Sequence, residues 1–416
     1  MQIFSICKHF LSLSTKEKSI CILNSLRNAY DKIYAKTYLN SLANDVDRNS
    51  DLIVIAGFFS TANGIGAIAR SSYRLFQQNG FNVIAVDLSQ YFKQADYKTS
   101  IKCSTFPKND GGTLLLYANG EETLYCLRKL QVRSNKNWKI IGVWAWELST
   151  IPATWEYSGK FLDQLWTYSQ FTLEVLRAHF PSKDIACIKP HIHVDPRIDN
   201  FDHSLNIPKN TFTFLTMCDS RSSLDRKNPL ATIQAFKTAF PANNRPILIV
   251  KTRNFLEDSD AYNALKKATF KCENIIWIDQ TYSQTEYYSL LSRIDCFVSL
   301  HRAEGFGLPM AEAMGLGKPV IATNWSGNID FMNHTTSLLV NFKLTNVRDK
   351  YGIYKNQDDL WAEPDISHAS AYMRQITSDA SLYQRLSGAS KKMITDYFDG
   401  NQIIKNMDHW LSKLDA

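Results

Sequence analysis

The chain has 416 residues, 44% hydrophobic and 21% charged, which suits two domains with full cores and excludes a disordered, collagen-like or coiled-coil chain. A net charge of +7 is too small for this length to argue for nucleic acid. It is uneven, however: residues 1–50 hold 7 basic and 4 acidic side chains, nearly half of the excess.

In residues 1–50 no apolar run is long enough to span a membrane, and Lys8 and His9 interrupt the apolar stretch as no secretory signal would. Ile3, Ile6, Cys7, Phe10 and Leu13 fall on one helical face, with Lys8, Lys16 and Lys18 nearby. Such a helix either packs on the protein's own surface or lies on a membrane surface. The eight cysteines stand at least fourteen residues apart. They form no CxxC pair or metal-ligand spacing and read as free thiols of a cytoplasmic protein.

From residue 51 short apolar runs alternate with helical patterns. The runs predict strands at 52–58, 83–88, 113–117, 139–144, 164–167 and 186–189, with a helix at 67–79 among them. Near-continuous hydrophobicity marks strands buried on both faces. The alternation pauses across 190–208. It resumes with strands at 212–217, 246–251, 274–278, 296–300, 319–322 and 337–340, and helices at 229–240, 285–293 and 308–314. A helical tail follows over 369–414. The pattern predicts an α/β protein of two facing βα domains, 51–205 and 206–395, after a helical extension, 1–50. A last helix, 396–416, packs back on the first domain. Ligands in such sheets bind at the carboxyl ends of the strands.

Residues 56–70, AGFFSTANGIGAIAR, follow the first strand and open a helix. Gly64 and Gly66 permit a tight turn and close backbone approach, and helix-start N–H groups suit an anion. With Asp87 at the end of the second strand, this half taken alone also fits an NAD-binding pattern. Arg70 reads as a solvated or capping side chain.

Residues 299–331, SLHRAEGFGLPMAEAMGLGKPVIATNWSGNIDF, are more specific. Glu304 and Glu312 flank a turn, Gly305, Phe306, Gly307 and Leu308, that runs from a strand end into a helix. Pro309 costs little there. Bare N–H groups at that helix start can receive a diphosphate, Glu312 can accept from ribose hydroxyls, and Glu304 can reach a sugar. A second glycine turn follows at Ser326, Gly327 and Asn328, and with Glu304 it is expected to hold the sugar of the donor.

This stretch resembles the nucleotide-sugar site of glycosyltransferase family 4, retaining enzymes of the two-domain GT-B fold, and the resemblance extends over most of the chain from about residue 51. It implies that Gly64 and Gly66 lie against the donor diphosphate or the acceptor, without NAD. It implies that Lys227, in Arg226-Lys227-Asn228-Pro229, pairs with the diphosphate. The usual Gly-Arg is replaced by Cys218-Asp219-Ser220-Arg221, so the second cation is Arg221 or Arg226, and Lys251 at a strand end is a further candidate.

In GVWAWELSTIPATW, 142–155, Glu147 falls where family members carry a residue touching the sugar or acceptor. This form resembles a subgroup associated with bacterial surface polysaccharide. Trp144, Trp146 and Trp155 either stack on sugar rings or belong to the core, and Ser169-Gln170-Phe171 accompany them. His191 and His193 suggest a hinge more than a metal site, and His301 and Arg302 could touch the donor. The resemblance implies a metal-independent retaining hexosyltransferase with no resident cofactor, its donor a nucleotide-diphosphate sugar and its acceptor a glycan or a lipid-linked glycan. The scattered thiols and the lack of a secretory signal point to a cytoplasmic location, and the basic, partly amphipathic residues 1–50, outside the resemblance, are a candidate for peripheral contact with the inner membrane. A sugar-nucleotide epimerase, a Rossmann oxidoreductase and a non-catalytic carbohydrate-binding protein are the alternatives.

Overall fold

The computed structural model describes residues 15–39, 51–107, 111–132, 138–192, 194, 210–241, 246–255, 259–350, 354, 356 and 358–414, with the side chains of 15–24, 38 and 39 aside. The apolar face at Ile3, Ile6, Cys7, Phe10 and Leu13, and His193, lie outside these residues. Among the described residues no helix is long and apolar enough to cross a membrane.

The first sheet has strands β1 (Ile53–Gly57), β2 (Val83–Asp87), β3 (Gly112–Leu116), β4 (Trp138–Val143), β5 (Gln164–Thr167) and β6 (Asp184–Cys187). All its pairings are parallel, in the order β2-β1-β3-β4-β5-β6. The second has β7 (Thr213–Asp219), β8 (Ile247–Arg253), β9 (Ile275–Asp279), β10 (Cys296–Ser299), β11 (Val320–Thr323) and β12 (Leu338–Val340). Its order, also parallel, is β12-β11-β10-β7-β8-β9. Central strands such as β1 and β4 are buried along their whole length, which is why they read as unbroken apolar runs. An antiparallel hairpin, β13 (Phe342–Asn346) and β14 (Leu360–Pro364), stands apart from both sheets. Its β13 strand is mostly exposed and carries no alternation to signal it in the sequence, although β14 buries Trp361 and Ala362.

The helices are α1 (Thr15–Tyr34), α2 (Gly64–Gln78), α3 (Gly120–Leu130), α4 (Ala153–Gly159), α5 (Gln170–His179), α6 (Leu224–Lys227), α7 (Pro229–Ala239), α8 (Asp260–Thr269), α9 (Gln284–Arg293), α10 (Leu308–Gly315), α11 (Ile366–Ser378), α12 (Ala380–Tyr397) and α13 (Gly400–Ser412). Several start on a side-chain cap, as Asn63 caps α2 through Gly66 and Ser283 forms a capping box with Glu286. α2 buries Ile68, Leu75 and Phe76, each contributing about 1.5–3 kcal/mol of apolar burial.

Strand order reverses between β1 and β3 in the first sheet and between β7 and β10 in the second. These are the places where open α/β sheets bind ligands. One apolar cluster runs without a break from Ile55 and Phe76 through Phe306 and Met310 to Ile404 and Met407, so the two sheets share a core. α13 closes this core on the first sheet's side, where Gln164 Nε2 donates to Trp410 O at 3.2 Å. At the other end, α1 docks on α3 through Arg128–Asp31 at 2.5 Å and a bond from the Tyr34 hydroxyl to Val132 O at 2.6 Å.

Candidate functional site

The reversal between β7 and β10 carries the second sheet's charge. After β7 the chain turns through Ser223, whose φ of 64° lies in the left-handed region, into α6. Ser223 Oγ accepts from Arg226 N–H and donates to Asp349. This one-turn helix presents Arg226 and Lys227. After β10 the chain presents Glu304, to which Lys227 Nζ donates at 2.5 Å, with Arg226 3.3 Å away. Arg226 also lies 3.6 Å from Glu147 of the first half and donates to Ala303 O at 2.8 Å. Two cations and two carboxylates thus form a neutral cluster between the sheets. Burial pushes the Glu304 carboxyl up, but Lys227 and Arg226 outweigh it and hold it at about 2. Burial disfavours the Arg226 charge, but Tyr354, Glu147 and Glu304 raise its pKa.

Gly307, at φ 96°, makes the left-handed turn into α10, where Pro309 carries no N–H and the N–H groups of Met310 and Ala311 donate back to Gly307 O at 2.9 and 3.2 Å. Behind this turn, a Cβ on Gly327 would lie 2.3 Å from Gly305 O and 2.8 Å from Phe306 N. The Ser326–Asn328 turn therefore backs directly onto the 305–308 loop. Its polar atoms are engaged in support: Ser326 Oγ accepts from Glu304 N–H, Gly327 N–H donates to Glu304 O, and Asn328 Nδ2 donates to Thr323 O. His301 is fully buried, with Nε2 3.1 Å from Asn328 Oδ1 and Nδ1 3.0 Å from Ser299 Oγ. Burial lowers its pKa and disfavours the charged ring, which lies behind the site. Arg302, another possible donor contact from the sequence, instead pairs with Glu363 of β14 and donates to Asp225 O.

Glu312 lies one turn into α10. Tyr287 donates to its Oε2 and Tyr288 to its Oε1 at 2.9 Å. Burial outweighs these bonds and pushes its carboxyl up to about 7. Lys251 is held by the carbonyls of Thr252 and Gln280 over the Tyr282 ring, and burial pushes it down to about 8. Arg221 lies apart from Arg226 in its partners, on Asp96 at 2.9 Å and Asp219 at 3.6 Å.

From the first half, Gly64 opens α2 with nothing near its Cβ position, and Gly66 N–H donates to the Asn63 cap. Arg70 is not solvated. It is buried and donates to the carbonyls of Phe58, Phe59 and Thr61, so it organises the loop before α2. Asp87, the acid of the NAD pattern, accepts from the N–H of Ser60 in that loop and from the N–H of Ser89, just after β2. Ser169, Gln170 and Phe171 meet Gly305 O, Asp330 and Trp325 of the second half.

Trp144 and Trp155 are core side chains, buried and in edge contact with each other, which removes them as sugar platforms. Trp146 lies between Trp155 and Tyr354, with ring centroids 4.7 and 5.6 Å away. Tyr354 donates to Glu147 at 3.1 Å. Ser149 and Thr150 donate to Asp359, at 2.8 and 2.9 Å, so the chain between β13 and β14 straps this wall. Sequence reasoning missed Tyr354, Asp359, Tyr287 and Asp96. It could have marked Asp219 and Arg253, which are register partners at the carboxyl ends of neighbouring strands. Among the described residues no group of three or more His, Cys, Asp or Glu side chains is placed to hold a metal ion.

Residues 204–345 match the family model for glycosyl transferases group 1. No curated protein matches the chain in sequence. Among solved structures, sucrose-phosphate synthase from Thermosynechococcus elongatus is 14% identical with a TM-score of 0.60, covering 87% of this chain and 98% of its own. Anabaena HepE in complex with UDP-glucose is 11% identical with a TM-score of 0.60, covering 87% and 99%. An S. aureus TarM variant in complex with Fondaparinux, alpha-GlcNAc-glycerol and UDP is 12% identical with a TM-score of 0.53, covering 72% of this chain. The chain spans about half of TarM's length, 55%. At these identities the likeness carries the fold. The chain has the two-domain GT-B fold, and its second half carries a segment of the glycosyl transferases group 1 type.

Proposed function

We propose that the protein is a retaining, metal-independent glycosyltransferase of family 4. It moves a hexose of mannose or glucose type from a nucleotide-diphosphate sugar to a glycan or lipid-linked acceptor in surface-polysaccharide synthesis. The observation that carries this reading is the Glu304–Lys227–Arg226–Glu147 cluster, set at the β7/β10 reversal beside the start of α10. A UDP-glucose complex of a protein with the same fold supports the donor class.

In this reading Glu312 takes the ribose, the 305–308 loop and Lys227 take the diphosphate, and Glu304 orients the sugar. The bond between the anomeric carbon and the phosphate oxygen breaks. A bond to the acceptor oxygen forms on the same face, and the acceptor proton passes to the leaving phosphate oxygen. Lys227 stabilises the charge that develops there. Glu147, held by Tyr354 and Arg226, faces the acceptor side. The protein's contribution is orientation and electrostatics, with no protein nucleophile.

Membrane contact belongs to the same proposal. What supports it is the exposed face of α1, where Leu26, Tyr30 and Ile33 are 62%, 60% and 62% exposed at helical spacing, beside a basic segment.

Thermal-shift titration with UDP, GDP, ADP and their sugars tests the donor class, because a bound ligand raises the melting temperature. Lys227→Ala and Glu304→Gln are each expected to lower transfer by about 100-fold or more while the protein stays folded. Near wild-type turnover in both would overturn the assignment.

A further inference from the structure

Asp96 lies in the segment between β2 and β3 of the first half, yet its carboxylate reaches across to the second. Oδ1 accepts from the N–H of Ala62, in the loop just before the α2 cap, at 2.9 Å. Oδ2 accepts from Arg221 at 2.9 Å and lies 3.9 Å from Arg253. Both arginines also pair with Asp219, at 3.6 and 2.5 Å. One carboxylate therefore sits between a backbone N–H at a glycine turn and two guanidinium groups, a donor set of the kind that binds phosphate oxygens.

The segment around Asp96 is built to stay there. Thr61 donates to Gln94 O at 2.7 Å, and Tyr97 N–H donates to Ser60 O at 3.0 Å. The Tyr97 ring lies over Arg70 at 4.1 Å, and its hydroxyl donates to Gln284 of the second half at 3.1 Å. Asp96 and its arginine partners keep partial access to solvent, with Asp96 28% and Arg221 35% exposed. An ion could exchange there. Asp219 belongs to the same half as the arginines and stays with them. Asp96 is the one carboxylate of this group brought by the other half, and removing it leaves two cations against one anion.

We propose that Asp96 is an internal stand-in for a substrate oxyanion. It fills the place between the Ala62 N–H, Arg221 and Arg253 in the empty protein, and a phosphate group of the incoming substrate displaces it. Asp96 thereby sets the affinity for anionic substrates and discriminates against weak anions. The proposal rests on the nucleotide-sugar reading for the source of the phosphate, but the anion site itself can be probed without it.

The experiment titrates the full chain with inorganic pyrophosphate and separately with UDP, by calorimetry at low and raised salt. It compares wild type, Asp96→Asn and Asp96→Asn/Arg253→Ala. The asparagine keeps the acceptor for Ala62 N–H and removes only the charge. Asp96→Ala serves if that variant does not fold. Asp96→Asn is expected to bind pyrophosphate about threefold or more tightly at low salt. The gain should shrink with added salt and vanish when Arg253 is lost. An unchanged Kd overturns the proposal. A weakened Kd also overturns it, since Asp96 would then only clamp the halves together. If UDP binds the wild type and Asp96→Asn changes neither ligand, this proposal falls and the nucleotide reading stands. If UDP fails to bind any variant while pyrophosphate gains, the anion site stands and the nucleotide reading falls.

Discussion

Glu304 and Glu312, separated by seven residues, sit in opposite electrostatic surroundings. Cations hold Glu304 near 2, while burial lifts Glu312 to about 7. The consequences for stability have opposite signs. Between about 2 and 4.5 the folded chain has released the Glu304 proton that the unfolded chain still holds. Glu304 therefore contributes stability above that window, lost as the pH falls through it. Between 4.5 and about 7 the folded chain keeps a proton on Glu312 that the unfolded chain releases, so stability falls as the pH rises across this range. Glu312→Gln is uncharged throughout. It is expected to flatten the decline in melting temperature from about pH 5 to pH 8, removing a term on the order of 1–3 kcal/mol. An unchanged slope would show that Glu312 is already ionised in the folded protein. Both glutamates were legible in the sequence from their flanking glycines. Tyr287 and Tyr288 were not, because the tyrosines lie on α9, and only the tertiary fold brings α9 against α10.

The loops after β7 and β10 owe their shape to backbone contacts that side-chain chemistry cannot restore. The Cβ of a Gly327→Ala variant would collide with main-chain atoms of Gly305 and Phe306, so the 305–308 loop must shift. The expected cost is about 1–3 kcal/mol of stability, together with loss of any UDP-induced rise in melting temperature, read from unfolding with and without UDP. The β13–β14 hairpin makes a different prediction. Tyr354→Phe keeps the ring between Trp146 and Arg226 but removes its hydrogen bond to Glu147, leaving that carboxylate with Arg226 alone of the two. It is expected to change stability by about 1 kcal/mol or less and to shift the acceptor KM more than the donor KM. Equal shifts in both would deny Glu147 an acceptor-side role. The twelve strands of the two sheets were legible because each is a short apolar run, the inner ones, such as β1, β4 and β11, being buried along their whole length. The hairpin was not, since most of β13 is exposed and shows no alternation to mark it.

At the scale of the molecule, the halves are joined by polar contacts between residues far apart in sequence: Ser169 with Gly305, Gln170 with Asp330, Thr150 with Asp359 and Arg221 with Asp96. None could be read from periodicity, because each depends on how two finished sheets face each other. The first sheet ends in sequence with β6 at Cys187, and the second begins with β7 at Thr213. The chain returns through α13, which buries Ile403, Ile404 and Met407 in the core that includes Leu75 and Phe76. The first half thus borrows its last helix from the far end of the polypeptide. A fragment ending near residue 205 lacks that cover and should be insoluble or aggregate when expressed alone. Co-expressed with the remainder as a separate chain, it should be rescued and co-purify. The two pieces would then behave as a split protein whose reassembly reports the docking of α13.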